Sequence, residues 1–327
     1  MREKSNGTVR GPITGVGLGL LGVACFSFSL PATALALDGF DPWLVGVGRA
    51  AGAGLLAVAW LLAVRAPRPH RAHWPRLALV SLGVVFGFPV CTTLALLTST
   101  SAHGAVVIAL LPAMTAVFAV LRGGERPPPA FWGASLAGLA AVLGFLLSGG
   151  GIGGGLHAAD LLLIGAVLLA ALGYAEGGAL ARELGGARTI CWALVLSLPV
   201  TIPVAGVSLA LHPVAAPSGI AWFGLGYVTA VSMFLGFFAW YAGLAAGGVA
   251  RVGQVQLIQP VLTLGWSALL LGEQVGGLTV TAAALVLLCV LLTQRARFAA
   301  PERGVPDVGD APLPETGQPA ARRSARS

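Results

Sequence analysis

Between Pro12 and Arg295 the chain is a succession of apolar runs, each long enough to cross a lipid bilayer, and the short gaps between them hold nearly all the charge. A helix needs about 20 mostly apolar residues to span the hydrocarbon, and lipid offers no partner to an open backbone N–H or C=O, so such runs are helical. Breaking the chain at charges, Pro/Gly clusters and polar gaps gives ten of them: 12–37, 43–64, 76–97, 102–121, 130–148, 158–181, 190–211, 219–244, 249–271 and 276–294. A soluble domain would be about 25% charged. This chain is 9% charged and 57% hydrophobic, with mean hydropathy +0.88. The expectation is an all-α integral membrane protein with ten transmembrane helices. The first run is longer than a signal-peptide core and lacks a small-residue cleavage site followed by soluble sequence, so it reads as a retained helix.

Charge placement tests the count, because cytoplasmic loops are rich in Lys and Arg. With residues 1–11 inside, Arg2, Lys4 and Arg10, then Arg65, Arg68, Arg71 and Arg76, then Arg122 and Arg126, Arg182 and Arg188, Arg251, and Arg295 onward all fall on the cytoplasmic side. Of the 19 cationic residues only Arg49 is left over, and it sits inside a span. A miscounted helix would scramble this alternation. The expected location is therefore the cytoplasmic membrane, with both termini inside. The net charge of +7 marks orientation in the bilayer; no basic face with interleaved aromatics suggests a nucleic-acid partner. Residues 296–327 turn to Pro, Gly, Ala, Arg and acids, a composition that cannot bury enough apolar surface to fold, and read as a disordered cytoplasmic tail.

The stretch LLPAMTAVFAVLRGGE at 110–125 returns as IQPVLTLGWSALLLGE at 258–273. A shift of 148 positions superposes Pro112 on Pro260, Thr115 on Thr263, Leu121 on Leu269, Gly124 on Gly272 and Glu125 on Glu273. The match pairs span four with span nine. Each half then holds five spans, residues 12–148 and 158–295, joined by an external linker at 149–157. Five is odd, so the second half enters from the opposite side, giving two inverted five-helix repeats. That architecture underlies alternating access: two similar halves in opposite orientation exchange conformations around a site near the midplane.

These motifs, LLPAMTAVFAVLRGGERP and QPVLTLGWSALLLGE, resemble the drug/metabolite transporter superfamily, specifically its EamA-type members. PATALALDGFDPWLVGVGRAAGAGLL at 31–56 and YAEGGALARELG at 174–185 add to the resemblance, which covers about residues 12 to 295. It implies movement of small metabolites, often amino acids or related compounds, often outward, and possible drive by protons. A channel or a sensory membrane protein is the alternative reading. A membrane enzyme would need an H-E-x-x-H run, paired intramembrane aspartates or a Ser/His arrangement, and none is present.

Several residues are candidates for the cavity. Pro112 and Pro260 lie mid-span, where proline removes a backbone donor and frees a carbonyl, and such points line a cavity or bend a helix for packing. Arg49 lies six residues into its span, about 9 Å deep at 1.5 Å per residue. It either snorkels outward toward Asp38 or Asp41 or stands as a fixed cation that attracts a carboxylate-bearing substrate. Glu176 is the acid well inside a span. It suits a proton-coupling site, or else is a structural acid paired to Arg182 or Arg251.

Gln256 and Gln259 share a helix face, as do Gln256 and Pro260; they contact substrate or bond a neighbouring helix. Tyr174 and Trp266 are deep enough to face a cavity. Trp240, Tyr241, Trp43, Trp60, Trp132, Trp192 and Trp222 sit near span ends and read as an aromatic belt. Glu125 and Glu273 read as capping or loop-bonding groups. His103, alone, makes a poor metal or catalytic case, and the cysteines Cys25, Cys91, Cys191 and Cys289 show no metal or disulfide spacing. No cofactor and no metal are expected. The partners expected are a small-molecule substrate and the lipid bilayer, with monomer or homodimer left open.

Overall fold

The computed structural model describes residues 12–123, 128–148, 157–214, 216–248 and 252–298. Gly124, Glu125, Arg251, the glycine-rich linker through 156 and the tail from 299 onward lie outside them. Among the described residues eight helices are long and apolar enough to cross a membrane, and two shorter apolar helices, Val255–Leu271 and Gly277–Thr293, follow. Together they are the ten spans, and the described residues contain no strand.

Span one comprises Pro12–Ser27 and Ser29–Leu37; span two, Leu44–Gly48 and Arg49–Ala63; span three, Arg71–His73, Trp74–Val80, Ser81–Gly87 and Phe88–Ala95. Span four comprises Ser101–Ile108 and Leu111–Gly123, and span five is Pro129–Leu147. Spans six and seven are Ala158–Leu184 and Gly186–Leu211; span eight runs through Gly219–Gly226, Tyr227–Leu235 and Gly236–Gly247. Span nine contains Gln254–Leu257 and Ile258–Leu271, and span ten is Gly277–Phe298.

The packing of these spans carries a two-fold relation. Span one packs on span eight and span six on span three; two packs on seven, four on nine and five on ten; span six also packs on four, and span one on nine. Exchanging the halves, one for six through five for ten, maps this set of neighbours onto itself. Without a hydrophobic drive between helices in lipid, close approach depends on small residues at the contact. Glycines supply it at both related interfaces. Gly15 and Gly19 of span one meet Gly243 and Gly247 of span eight, while Gly83 of span three lies against the Leu169 carbonyl and Gly173 of span six.

Span ends are set by familiar chemistry. Thr100 Oγ1 accepts from His103 N at 3.1 Å and Ser218 Oγ from Ala221 N at 3.1 Å, satisfying backbone donors that the first helical turn leaves open. Gly185, with φ of +86°, is the single residue between spans six and seven; a side chain at that φ would be strained.

The proline of the repeated stretch has a different consequence in each copy. Span four breaks at Ala109 and Leu110, and Pro112 stands in the first turn of the helix that restarts at Leu111. There the missing N–H costs nothing, because that donor has no intrahelical partner. In span nine the chain tightens to a 3-10 turn over Gln254–Leu257 before Pro260, near the start of Ile258–Leu271. Both prolines are buried.

Trp43, Trp132 and Trp222 are exposed, as an aromatic belt requires. Trp240 and Tyr241 correct it: both have 0% exposure. Their helix Gly236–Gly247 packs on span one, so these rings fill the core beside Phe26 and Phe237 instead of facing the interface.

Candidate functional site

A cavity lies where both halves meet. Its lining comes from spans one, two and three of the first half and six, eight and nine of the second: Phe26 and Ser29, Arg49, Val84 with Phe88 and Pro89, Ala170 with Tyr174, Ser232 with Met233 and Phe237, and Gln259. The space between these groups, open mouth included, is about 390 Å³.

Much of the wall is built twice. Phe26 and Tyr174 are 148 positions apart, and Val84 and Met233, like Phe88 and Phe237, are 149 apart. The signal was present in the sequence as FGFPV at 86–90 and LGFFA at 235–239, too short and apolar to stand out without the contact pattern. The backbone repeats too. Ser81–Gly87 and Tyr227–Leu235 are both π-helical, a form that often marks functional sites because its wider turn re-aims the side chains that follow. A third π-helical turn, Leu44–Gly48, immediately precedes Arg49.

The polar groups break that symmetry. Arg49 is 2% exposed. Its Nη1 donates to Thr33 Oγ1 at 3.2 Å, while Nε and Nη2 meet no hydrogen-bonding atom of the described chain. The outward-snorkelling alternative is overturned. Asp41 instead accepts from Ser208 Oγ at 2.6 Å and lies 3.4 Å from His212 Nδ1. The π-helical turn before Arg49 directs its side chain toward Thr33 and the cavity. No carboxylate among the described residues pairs with this guanidinium. Gln259, 6% exposed, likewise presents an Oε1 without a donor. Ser29 and Ser232 close a 2.6 Å hydrogen bond between the two halves across the same space.

Of the other sequence candidates, Tyr174 joins the cavity, stacked on Phe26 with centroids 6.3 Å apart. Gln256 is 2% exposed with both amide atoms unbonded but lies outside the lining, as do Pro112 and Pro260. Trp266 is corrected: it is 37% exposed and its indole donates to Ser27 Oγ at 3.1 Å. Span nine turns Gln259 and Thr263 inward, which carries Trp266 round to the helix flank, against Phe28.

Glu176 is 2% exposed but stands away from the cavity, where the arginine-bearing ends of three spans converge. It pairs with Arg76 Nε of span three and, at 2.5 Å, with Arg122 Nη2 of span four. The expected partner Arg182 is thus replaced, for it shares the helix of Glu176 whereas spans three and four pack on that helix and bring arginines across; the other expected partner, Arg251, lies outside the described residues. Glu183, about two turns on, holds Arg76 Nη1 at 2.7 Å and His73 Nε2 at 3.0 Å.

The opposite end has its own contacts. Glu273 accepts from Ser101 N at 2.9 Å and Ala102 N at 2.7 Å, so it caps span four rather than its own helix. His103, read from sequence as solitary, meets Asp160 through Nε2 at 2.7 Å.

The match to known proteins agrees with this arrangement. The EamA-like transporter family matches residues 13–147 and again residues 157–295. This chain belongs to the EamA-like transporter family. A relative from Bacillus subtilis (strain 168), the uncharacterized transporter YdeK, is 45% identical over 297 residues, covering 90% of this chain and 99% of its own. A solved crystal structure superposes with a TM-score of 0.62 over 88% of this chain and 98% of its own, at 19% identity, which shows the shared fold. The EamA protein is thus a multi-pass membrane transporter, with Arg49 and Gln259 as the unsatisfied polar groups of its central cavity.

Proposed function

We propose that this EamA transporter exports a small carboxylate-bearing metabolite, amino-acid-like or related, across the cytoplasmic membrane by alternating access coupled to protons. The carrying observation is Arg49: a buried guanidinium in a cavity shared by both halves, bonded to one hydroxyl and, among the described residues, paired with no carboxylate. A charge within a span costs a few kcal/mol unless it is paired or faces water, so a substrate carboxylate supplies the missing partner. Guanidinium and carboxylate match in a two-pronged geometry, and Nε and Nη2 are the edge left open. Phe26, Tyr174 and Phe237 offer apolar surface for the rest of the solute.

The arginine-rich end is assigned to the cytoplasm, since positive residues stay inside. There the Glu176 pairs tie span six of one half to spans three and four of the other. A proton on Glu176 would cancel its attraction for both arginines and free that end to open, which makes it the proton-coupling site. Outward direction rests on the family resemblance.

The test uses the full chain in proteoliposomes with an imposed pH gradient and a panel of radiolabelled amino acids and simple carboxylic acids, each beside its carboxamide. Carboxylates should be carried and carboxamides refused, with Arg49→Gln losing carriage. Glu176→Gln should keep substrate exchange but lose response to the gradient. Equal carriage of carboxamides, or full carriage by Arg49→Gln, overturns the substrate reading. An undiminished gradient response in Glu176→Gln overturns the coupling.

A further inference from the structure

The end opposite the arginines holds a titratable pair that transport of the substrate, as proposed above, does not use. His103 is in the first turn of span four's opening helix and is 3% exposed; Asp160 is in the first turn of span six and is 1% exposed. Their Nε2–Oδ1 contact of 2.7 Å joins the first half of the protein to the second. Asp160 is held in place: its Oδ2 accepts from His157 N at 2.8 Å and lies 3.8 Å from His157 Nδ1. Phe145 of span five packs against the His103 ring, centroids 5.2 Å apart.

The titratable surroundings are few. Span six brings Asp160 and His157, and the turn after span nine brings Glu273, bonded two residues from His103. Span five and the described parts of spans one and ten contribute no Asp, Glu, His, Lys or Arg at this level. The two carboxylates each sit at a helix N-terminus, which is worth about half a positive charge. Two negative charges against two half-charges leave about one negative charge uncompensated in a buried place. Histidine is the side chain that gains a positive charge near neutral pH, and a protonated His103 would bring this cluster to balance.

We propose that the His103–Asp160 pair is a proton-binding site that latches the arginine-poor end of the transporter shut, separate from the site at Glu176. With the proton bound, a neutral ion pair bridges spans four and six and stays buried. Without it, closure must bury the Asp160 negative charge beside that of Glu273 with no cation to offset it, so the two halves part more readily. The sign follows: closure is favoured at low pH, where the pair holds its proton, and weakened at high pH, where the proton is released. This inference stands whether or not Arg49 binds a carboxylate.

The experiment needs no substrate. Hydrogen–deuterium exchange of the full chain in lipid nanodiscs, at about pH 5 and about pH 8 and corrected for the intrinsic rate, would follow peptides covering residues 101–108 and 158–165. Wild-type exchange there should rise with pH, by at most about tenfold per unit for one proton. His103→Gln retains an amide donor for Asp160 but does not titrate, so it should flatten the response; His157→Gln should leave it intact. Should His103→Gln fold poorly, Asp160→Asn gives the same reading. A flat wild-type profile, a pH response preserved in His103→Gln or Asp160→Asn, or one abolished by His157→Gln overturns the proposal.

Discussion

Replacing Arg49 by methionine should make the protein more stable while abolishing transport of its anionic cargo. The guanidinium is 2% exposed and among the described residues makes one hydrogen bond, to Thr33 Oγ1 at 3.2 Å. On insertion scales a charged side chain at span depth costs about 2.5–3.5 kcal/mol, and a hydrogen bond to a charged group returns about 1.5–3 kcal/mol. The difference favours methionine by on the order of 1 kcal/mol, because the unbranched thioether fills the same channel without a charge to solvate. Thr33 is not stranded by the change, since its hydroxyl donates to Ser29 O at 2.7 Å. Thermal unfolding of purified wild type and Arg49→Met in the same detergent, followed by tryptophan fluorescence, measures the first part. Carboxylate uptake in proteoliposomes measures the second. A variant that unfolds at lower temperature and still carries its cargo would refute the reasoning, for Arg49 would then be a structural group whose pairing the fold requires.

Two further outcomes follow from the same geometry. Glu176 is 2% exposed whereas Arg76 and Arg122 are 30% and 44% exposed; removing the carboxylate leaves two arginines that reach water, but removing both arginines strands a buried charge. Glu176→Gln should therefore lower the unfolding temperature less than the double change Arg76→Gln with Arg122→Gln, and the reverse order in a thermal-shift assay would contradict the assigned pairing. A side chain at Gly83 would meet the backbone of span six, with Gly173 Cα 3.0 Å away. Overpacking of this kind costs about 1–3 kcal/mol. Gly83→Ala should thus lose stability in the same assay, while Gly226→Ala, which meets open space, should not.

The sequence alone determined the membrane class and the ten spans, because apolar length answers directly to the bilayer. It also held the inverted repeat, through the Pro-to-Glu stretch, and pointed to Arg49, Tyr174 and Gln259 as cavity groups. What it could not hold is which faces of the spans meet. The shared wall of Phe26, Val84 and Phe88 with Tyr174, Met233 and Phe237 emerges only when spans three and eight are seen to wind through π-helical turns, which no local pattern announces. Trp266 lies at cavity depth in the sequence and yet on the helix flank in the fold. The partners of Glu176, of His103 and of Glu273 lie more than 50 positions away in the chain. Charge tells a residue that it needs a partner; only the packing of one half against the other decides who that partner is.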